Sequence, residues 1–245
     1  KGIVVFNTPG ANANAVKELV ICGMLLSSRG IIEGIEFAKK LELEDAEGLN
    51  KAMEAQKKAF AGNELAGKTL GIIGIGSIGS MLAQAAHTLG MKLVGYDPYI
   101  SIEGAWRLPA EVEKAETMEA LLRQSDFVSL HVPLVEDTKN LINKSNLKKF
   151  KKGAKLINLS RGGIVNTNDV IAELENGSLG RFVTDFPTPE LIKRSASKND
   201  VVLLPHLGAS TKEAEVAVMA ANQMVNYLQD GTILNSVNFP RISLS

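Results

Sequence analysis

The chain has 245 residues, 45% hydrophobic and 22% charged, which suits one large α/β domain or a domain with additional segments. Basic and acidic residues both number 27, so the net charge is zero, and nucleic-acid binding, which usually needs a basic surplus, is disfavoured. No apolar stretch approaches membrane-spanning length, and the single cysteine, Cys22, excludes an internal disulfide and favours a reducing compartment such as the cytoplasm.

The predicted elements begin with a short strand over 3–6 and a long helix that includes Val16–Met24 at helical spacing. A polar helix over 44–60 follows. From Thr69 onward, apolar strands alternate with helices, which is typical of a parallel sheet covered on both faces, that is, a doubly wound α/β fold. The strands are predicted over 70–73, 92–96, 127–132, 155–159, 182–185 and 201–204, and the helices over 78–89, 118–124, 168–175 and 212–228.

A glycine-rich turn, GIGSIG at 74–79, directly follows the first of these strands and opens a helix. Gly74 permits the tight turn, Gly76 lets a pyrophosphate approach the backbone, and Gly79 lets helix and strand pack closely. The amides of Ser77 and Ile78, at the positive end of the helix dipole, would then hold the phosphates. The motif alone is weak, but the flanking strand and helix indicate a dinucleotide site.

An acidic residue closes the second strand of this unit. Asp97 stands eighteen residues after Gly79, close to the spacing expected of an acid that binds the ribose hydroxyls. Asp97 would repel a 2′-phosphate, and no arginine follows closely, so NAD is favoured over NADP. The alternative is that Asp97 only begins a turn before Pro98.

Three histidines are candidates for proton transfer. If the dinucleotide exchanges a hydride with a 2-hydroxy acid, the protein must supply a cation for the carboxylate, a base for the hydroxyl proton, and a group that sets the pKa of the base. His87 lies within a helix, where a structural role is favoured. His131 and His206 both follow predicted strands, at the edge where open α/β sheets bind ligands, and the chemistry alone does not choose between them.

Six segments resemble, in order, the successive motifs of the D-2-hydroxyacid dehydrogenases: GIIGIGSIG, YDPY, SDFVSLHVPL, LINLSRGGIVN, VTDFPTPEL and LLPHLGAST. The resemblance implies that Arg161 is the catalytic arginine, His206 the catalytic histidine and Glu190 its acidic partner, which would raise the pKa of the imidazole and fix its tautomer. Here the proline precedes Glu190, whereas in many relatives it follows the glutamate. The alternative for Glu190 is an exposed acid in a proline-rich turn.

The same resemblance implies further cofactor contacts, for which the alternative is sheet packing. Asp185 would hold the nicotinamide carboxamide, and Leu159 and Ser160 would line the nicotinamide side. The adenosine wall would consist of His131, Val132 and Pro133, and the cofactor contacts would also include Arg161, His206 and Gly208.

Within the family, VTDFPTPEL, HVPLVEDTKNLIN and NSVNFP resemble the phosphoglycerate dehydrogenases of serine biosynthesis more than the lactate or glyoxylate enzymes. Oxidation of 3-phosphoglycerate is therefore expected. The alternatives are a glyoxylate or hydroxypyruvate reductase and a non-catalytic NAD(H)-sensing interaction protein. No metal is expected.

The resemblance also implies a second, substrate-binding domain built mostly from chain before Lys1. We therefore expect 8–207 to form the dinucleotide-binding domain, with 1–7 and 208–245 as connections. The chain by itself should bind NADH but oxidise 3-phosphoglycerate negligibly. The helix near Val16 resembles the family's dimer-forming element, which favours a homodimer, although its apolar stripe could equally be internal core.

Overall fold

A seven-stranded sheet organises the computed structural model, which describes residues 3–42, 45–212 and 216–238. All strands are parallel, in the order β3-β2-β1-β4-β5-β6-β7. The strands are β1 Thr69–Ile73, β2 Lys92–Tyr96, β3 Val112–Lys114, β4 Phe127–Leu130, β5 Ala154–Asn158, β6 Leu179–Thr184 and β7 Val201–Leu203. The direction of strand order reverses between β1 and β4, which is where such sheets bind ligands.

Helices connect the strands and cover both faces of the sheet. The described α-helices are α1 Ala13–Ser28, α2 Ile31–Lys39, α3 Ala46–Gln56, α4 Ser77–Thr88, α5 Ile102–Trp106, α6 Met118–Gln124, α7 Lys144–Leu147, α8 Thr167–Glu175, α9 Pro189–Ser195 and α10 Val216–Asp230. A 3-10 turn, Lys57–Phe60, continues α3. Among the described helices, none is both long and apolar enough to cross a membrane.

Two apolar clusters form the core, one on each face of the sheet. Successive strand residues alternate between them, as the two-residue period of a strand requires: Leu156 lies in one cluster and Ile157 in the other. One cluster receives side chains of α6, α8 and α9, and the other receives those of α1 and α4. The doubly wound parallel fold predicted from the sequence is therefore confirmed.

The structure differs from the predicted elements where the hydrophobic pattern is weak. The edge strand β3 was not predicted, because it has three residues and none is buried. The predictions also omitted α2, α5, α7 and α9. The described part of the helix predicted over 44–60 contains α3 and the 3-10 turn after it. Residue 44 lies outside the described residues, and so do 213–215 of the helix predicted over 212–228.

The segment predicted as a strand over 3–6 does not join the sheet. It pairs instead with the far end of the chain, through an antiparallel bridge between Phe6 and Ser236. The amide of Asn7 donates to the carbonyl of Asn235 at 2.9 Å, and the ring of Phe6 packs edge-on against Tyr227 of α10 at 5.8 Å between centroids. The segments 5–7 and 235–237 thus lie side by side.

Candidate active site

The glycine turn lies at the point where the strand order reverses, between the carboxyl ends of β1 and β4. Gly74 has a φ of +92°, and a Cβ there would come within 2.7 Å of the carbonyl oxygen of His131. A Cβ at Gly79 would collide with the carbonyl of Gly74. Around Gly76, no described atom lies within 4 Å of the place where a Cβ would stand, so the space beside its backbone is open to a ligand.

Helix α4 begins in this turn without a side-chain cap. Its N-cap is Gly76, whereas Thr117, Asn166 and Thr188 accept backbone N–H bonds at the starts of α6, α8 and α9. Ser77 is exposed and Ile78 half-buried. The first amides of α4 are therefore available to phosphate oxygens, which the helix dipole also favours.

Asp97 lies at the end of β2 and forms a hydrogen bond with the glycine turn. Its Oδ2 accepts from the amide of Ile75 at 2.8 Å, and its Oδ1 accepts from the amide of Tyr99 at 2.9 Å. Both the turn-forming and the site-forming interpretations of Asp97 are therefore compatible with the structure. The half-buried carboxylate faces the same cavity as Gly74 and Gly76.

A cavity of about 580 Å³ extends from the glycine turn over the ends of β1, β2 and β4. The predicted adenosine wall, which consists of His131, Val132 and Pro133, lines this cavity. Later residues of the loop after β4, which were not predicted, line it as well. Thr138 holds that loop: its hydroxyl accepts from the amide of Val135 at 2.8 Å. The lining residues beyond the glycines are Ile73, Tyr96, Asp97, Pro98, Tyr99, His131, Val132, Pro133, Val135, Asp137, Thr138 and Leu141.

His131 faces this cavity as a neutral ring. Its Nε2 lies 2.8 Å from the hydroxyl of Ser129, and its Nδ1 is buried without a hydrogen-bond partner in the described residues. Burial lowers the pKa of His131 to about 4. A base whose protonated form has so low a pKa accepts a proton weakly near neutral pH, so the burial of His131 leaves His206 as the favoured base.

The loop after β5 carries Arg161. Asn158, which is buried, donates from Nδ2 to the carbonyl of Arg161 at 2.8 Å and accepts from the Ser160 hydroxyl at 3.0 Å. Arg161 is exposed, and its Nη1 donates to the carbonyl of Ser160 at 2.7 Å. Asn158 was not predicted, although a polar residue inside the apolar segment LINL is the signal that could have identified it. Leu159 packs in the core, which favours the packing alternative for its side chain.

Asp185 lies immediately after β6 and is almost completely buried. Burial raises the pKa of its carboxyl, against the opposing effects of His206, the Gly208 amide and Arg161, in decreasing order. Its Oδ1 is buried and has no partner in the described residues. An enclosed acceptor without a donor fits the amide group of a nicotinamide carboxamide, and the open space at Gly76 fits the pyrophosphate of the same cofactor.

His206 is exposed and has a left-handed backbone, with φ +53°. Its imidazole packs edge-on against the ring of Phe186, with 5.0 Å between ring centroids and an interplanar angle of 82°. Phe186 is a further site residue that the sequence analysis did not single out.

Glu190 lies in the first turn of α9, after Thr188 as N-cap and Pro189 at the first helical position. Hydrogen bonds from its own backbone amide and then from the Thr188 hydroxyl lower the pKa of this exposed carboxylate. Within the described part of the chain, its carboxylate forms no ion pair with His206, and the carboxylate that interacts with this histidine is Asp185. The predicted pairing of Glu190 with His206 is therefore not formed in this conformation.

The described residues also contain no group of three His, Cys, Asp or Glu side chains arranged to hold a metal ion.

The family model described as "D-isomer specific 2-hydroxyacid dehydrogenase, NAD binding domain" matches residues 31–208. The chain is 39% identical to a hydroxypyruvate reductase of Thermotoga maritima over 88% of this chain and 66% of that protein. It is 36% identical to a D-3-phosphoglycerate dehydrogenase of Synechocystis over 99% of this chain and 42% of that protein. The chain thus spans about two fifths to two thirds of these relatives.

Among solved structures, D-mandelate dehydrogenase from Rhodotorula graminis superposes with a TM-score of 0.82 at 27% identity, covering 97% of this chain and 69% of that one. The doubly wound sheet, the uncapped glycine turn and the family match agree with one another. The chain belongs to the D-isomer specific 2-hydroxyacid dehydrogenase family, as its NAD-binding domain.

Proposed function

We propose that the protein oxidises a D-2-hydroxy acid with NAD⁺ as hydride acceptor, and that the substrate is 3-phosphoglycerate. The observation that carries the catalytic part is the surroundings of Asp185. The next residue, Phe186, contacts the ring of His206 and lies beside Gly162, which follows Arg161, so a base and a cation lie near the place where the nicotinamide amide would be held.

Each group then has one task. The glycine turn and Asp185 would hold NAD⁺, which would supply the acceptor for the hydride at the substrate's C2. Arg161 binds the substrate carboxylate through its exposed guanidinium, and His206 accepts the proton of the C2 hydroxyl. Asp185 orients the carboxamide, and its raised pKa reflects the burial that this position requires. Glu190 would have to approach His206 in a closed state, since catalytic hydrogen bonds often form only with substrate bound.

The choice of 3-phosphoglycerate rests on the VTDFPTPEL and HVPLVEDTKNLIN segments and on relatives named D-3-phosphoglycerate dehydrogenase, one of which aligns with 99% of this chain. The second candidate is a hydroxypyruvate reductase, because the relative of that name is 39% identical.

The test is a steady-state assay of the protein at its full natural length, with NAD⁺ and either 3-phosphoglycerate or D-glycerate. We expect a higher kcat/KM for 3-phosphoglycerate, and loss of most turnover in His206→Gln but not in His87→Gln. A preference for D-glycerate would support the second candidate. No turnover with either substrate, in a protein that binds NADH, would contradict the proposal and favour a non-catalytic NAD(H)-sensing protein.

We also propose that 8–207 is the dinucleotide-binding unit and that 1–7 and 208–245 connect it to a substrate-binding domain. The pairing of Phe6 with Ser236 supports this division, because the described parts of both connections lie side by side there.

The dimer is expected through the helix near Val16, which is α1, and we propose that the adjoining α2 takes part in it. The inner stripe of α1, with Val20 and Met24, is intramolecular core, whereas Ile35 of α2 is 49% exposed. Sedimentation of the wild type and of Ile35→Glu tests the proposed dimer interface. A dimer in both proteins would contradict this interface.

A further inference from the structure

Phe186 lies between the two loops that carry the proposed catalytic groups. It follows Asp185 at the carboxyl edge of the sheet and is half-buried, and its amide donates to the Thr184 hydroxyl at 3.2 Å. On one side its ring meets the imidazole of His206 edge-on, with 5.0 Å between centroids. On the other side it packs against Gly162, the residue after Arg161.

The contact with Gly162 depends on the absence of a side chain. A Cβ at Gly162 would stand 3.3 Å from the Cβ of Phe186, which is tighter than ordinary van der Waals contact, and 3.5 Å from its Cγ, which is an ordinary contact distance. The glycine therefore lets the loop of Arg161 close on the aromatic ring. Phe186 thus contacts both the loop that carries His206 and the loop that carries Arg161.

Apart from its electrostatic interaction with Asp185, the imidazole of His206 has few other restraints among the described residues. Its ring nitrogens form no hydrogen bond with any described residue, and its backbone is held only by a 3.1 Å bond from its amide to the carbonyl of Leu204. Its side chain projects from a left-handed residue into an exposed position. The edge-on contact with Phe186 is the one ring contact recorded for this imidazole in the described chain, and such pairs have a preferred geometry.

We infer that Phe186 is a positioning residue. It holds the imidazole of His206 in the orientation for proton transfer and at a fixed position relative to the loop of Arg161. The inference rests on the proposed role of His206. Phe186 itself touches neither substrate nor cofactor in this scheme. Its removal should therefore lower kcat without weakening NADH binding.

The test combines NMR of the histidine ring protons with kinetics. The ring current of Phe186 should displace the His206 resonances, which are assigned by comparison with His206→Gln. In Phe186→Leu they should move toward the values of free histidine, with NADH affinity unchanged, whereas Phe186→Tyr should keep them in place. In the full-length enzyme, Phe186→Leu should lower kcat by about two- to tenfold, and Phe186→Tyr should restore it.

Two controls keep the result interpretable. Phe37→Leu disrupts an aromatic pair with Phe60 in the α2 region and should leave the His206 resonances unchanged. If Phe186→Leu does not fold, Gly162→Ala should displace the ring and move those resonances, whereas Gly34→Ala, whose Cβ would stand 3.6 Å from the ring of Phe60, should not.

Resonances of His206 that stay fixed in Phe186→Leu would overturn the inference, as would an unchanged kcat in an active enzyme. A wild-type enzyme without turnover would instead refute the proposed function, and the NMR comparison would then still decide whether the rings of Phe186 and His206 are in contact in solution.

Discussion

The contrast between His131 and His206 shows how surroundings assign different tasks to one residue type. Both lie at the carboxyl edge, and the chemistry of the sequence alone did not separate them. Burial gives His131 a pKa of about 4, while His206 is exposed beside a carboxylate. The distinction depends on packing between distant segments, which local sequence patterns do not contain.

The low pKa of His131 predicts a loss of stability in acid. An unfolded histidine has a pKa near 6.5, so between that pH and about 4 the unfolded chain binds a proton that the folded chain does not. The free energy of unfolding should therefore decrease as pH falls through this window, by up to about 3 kcal/mol from this residue.

Urea titrations at pH 7 and pH 4.5 measure the effect. His131→Gln should lose less stability between these pH values than the wild type, whereas His87→Gln, with an exposed ring 3.8 Å from Glu111, should behave like the wild type. Equal losses in wild type and His131→Gln would show that the buried ring is not the cause.

Asp97 has a structural and a binding role that one substitution can separate. Asp97→Asn keeps an oxygen that can accept from the amide of Ile75 or Tyr99 but removes the negative charge. We expect weaker NADH binding and a smaller preference for NADH over NADPH, with little change in melting temperature. Calorimetry in which the wild type binds NADPH as tightly as NADH would contradict the proposed role of this residue.

At the scale of elements, one buried ion pair docks α2 beside the sheet. Arg181 of β6 contacts the carboxylate of Glu33 of α2 and donates from Nη1 to the carbonyl of Leu26 at 2.9 Å. The side chains are only 18% and 16% exposed. Breaking such a pair leaves a buried charge without its partner, whereas replacing both residues removes both charges.

Arg181→Met should therefore lower the free energy of unfolding by about 3–5 kcal/mol. The double variant Arg181→Met/Glu33→Met should recover most of that loss, since Met fits a similar volume without charge. Chemical denaturation of the four proteins gives the coupling free energy. A double variant as unstable as the sum of the two single variants would show that the pair does not act as a unit.

Elements with strong patterns were predicted well, and short elements held by tertiary contacts were not. The strands β1, β2 and β4–β7 have apolar runs, and their parallel direction follows from the alternation of strands and helices. Helix α9 has no such pattern: Thr188 caps it and Pro189 starts it. This local capping explains why Glu190 interacts with the start of its own helix in this conformation, although its spacing from Asp185 resembles that of the family.

At the scale of the whole molecule, the sequence motifs identified the cofactor side more completely than the substrate side. The glycine turn, Asp97 and the wall after β4 are local motifs at strand ends, and they meet in one cavity. Phe186 was missed because its role depends on contacts with two loops that are distant in sequence. Asn158 forms local hydrogen bonds with Ser160 and Arg161, and it was overlooked although its polar side chain interrupts an apolar segment. The central claim is therefore that the cofactor site is complete within this chain.

Calorimetric titration of this chain with NADH tests that claim most directly, with Gly76→Val as the decisive variant. A Cβ at Gly76 would meet no described atom within 4 Å beyond its chain neighbours, and the valine side chain would extend into the space proposed for the pyrophosphate. The variant should therefore fold normally yet bind NADH at least a hundredfold more weakly (about 2.7 kcal/mol). Gly34→Val, on α2, should bind like the wild type. No NADH binding by the wild type, or unchanged binding by Gly76→Val, would contradict the claim.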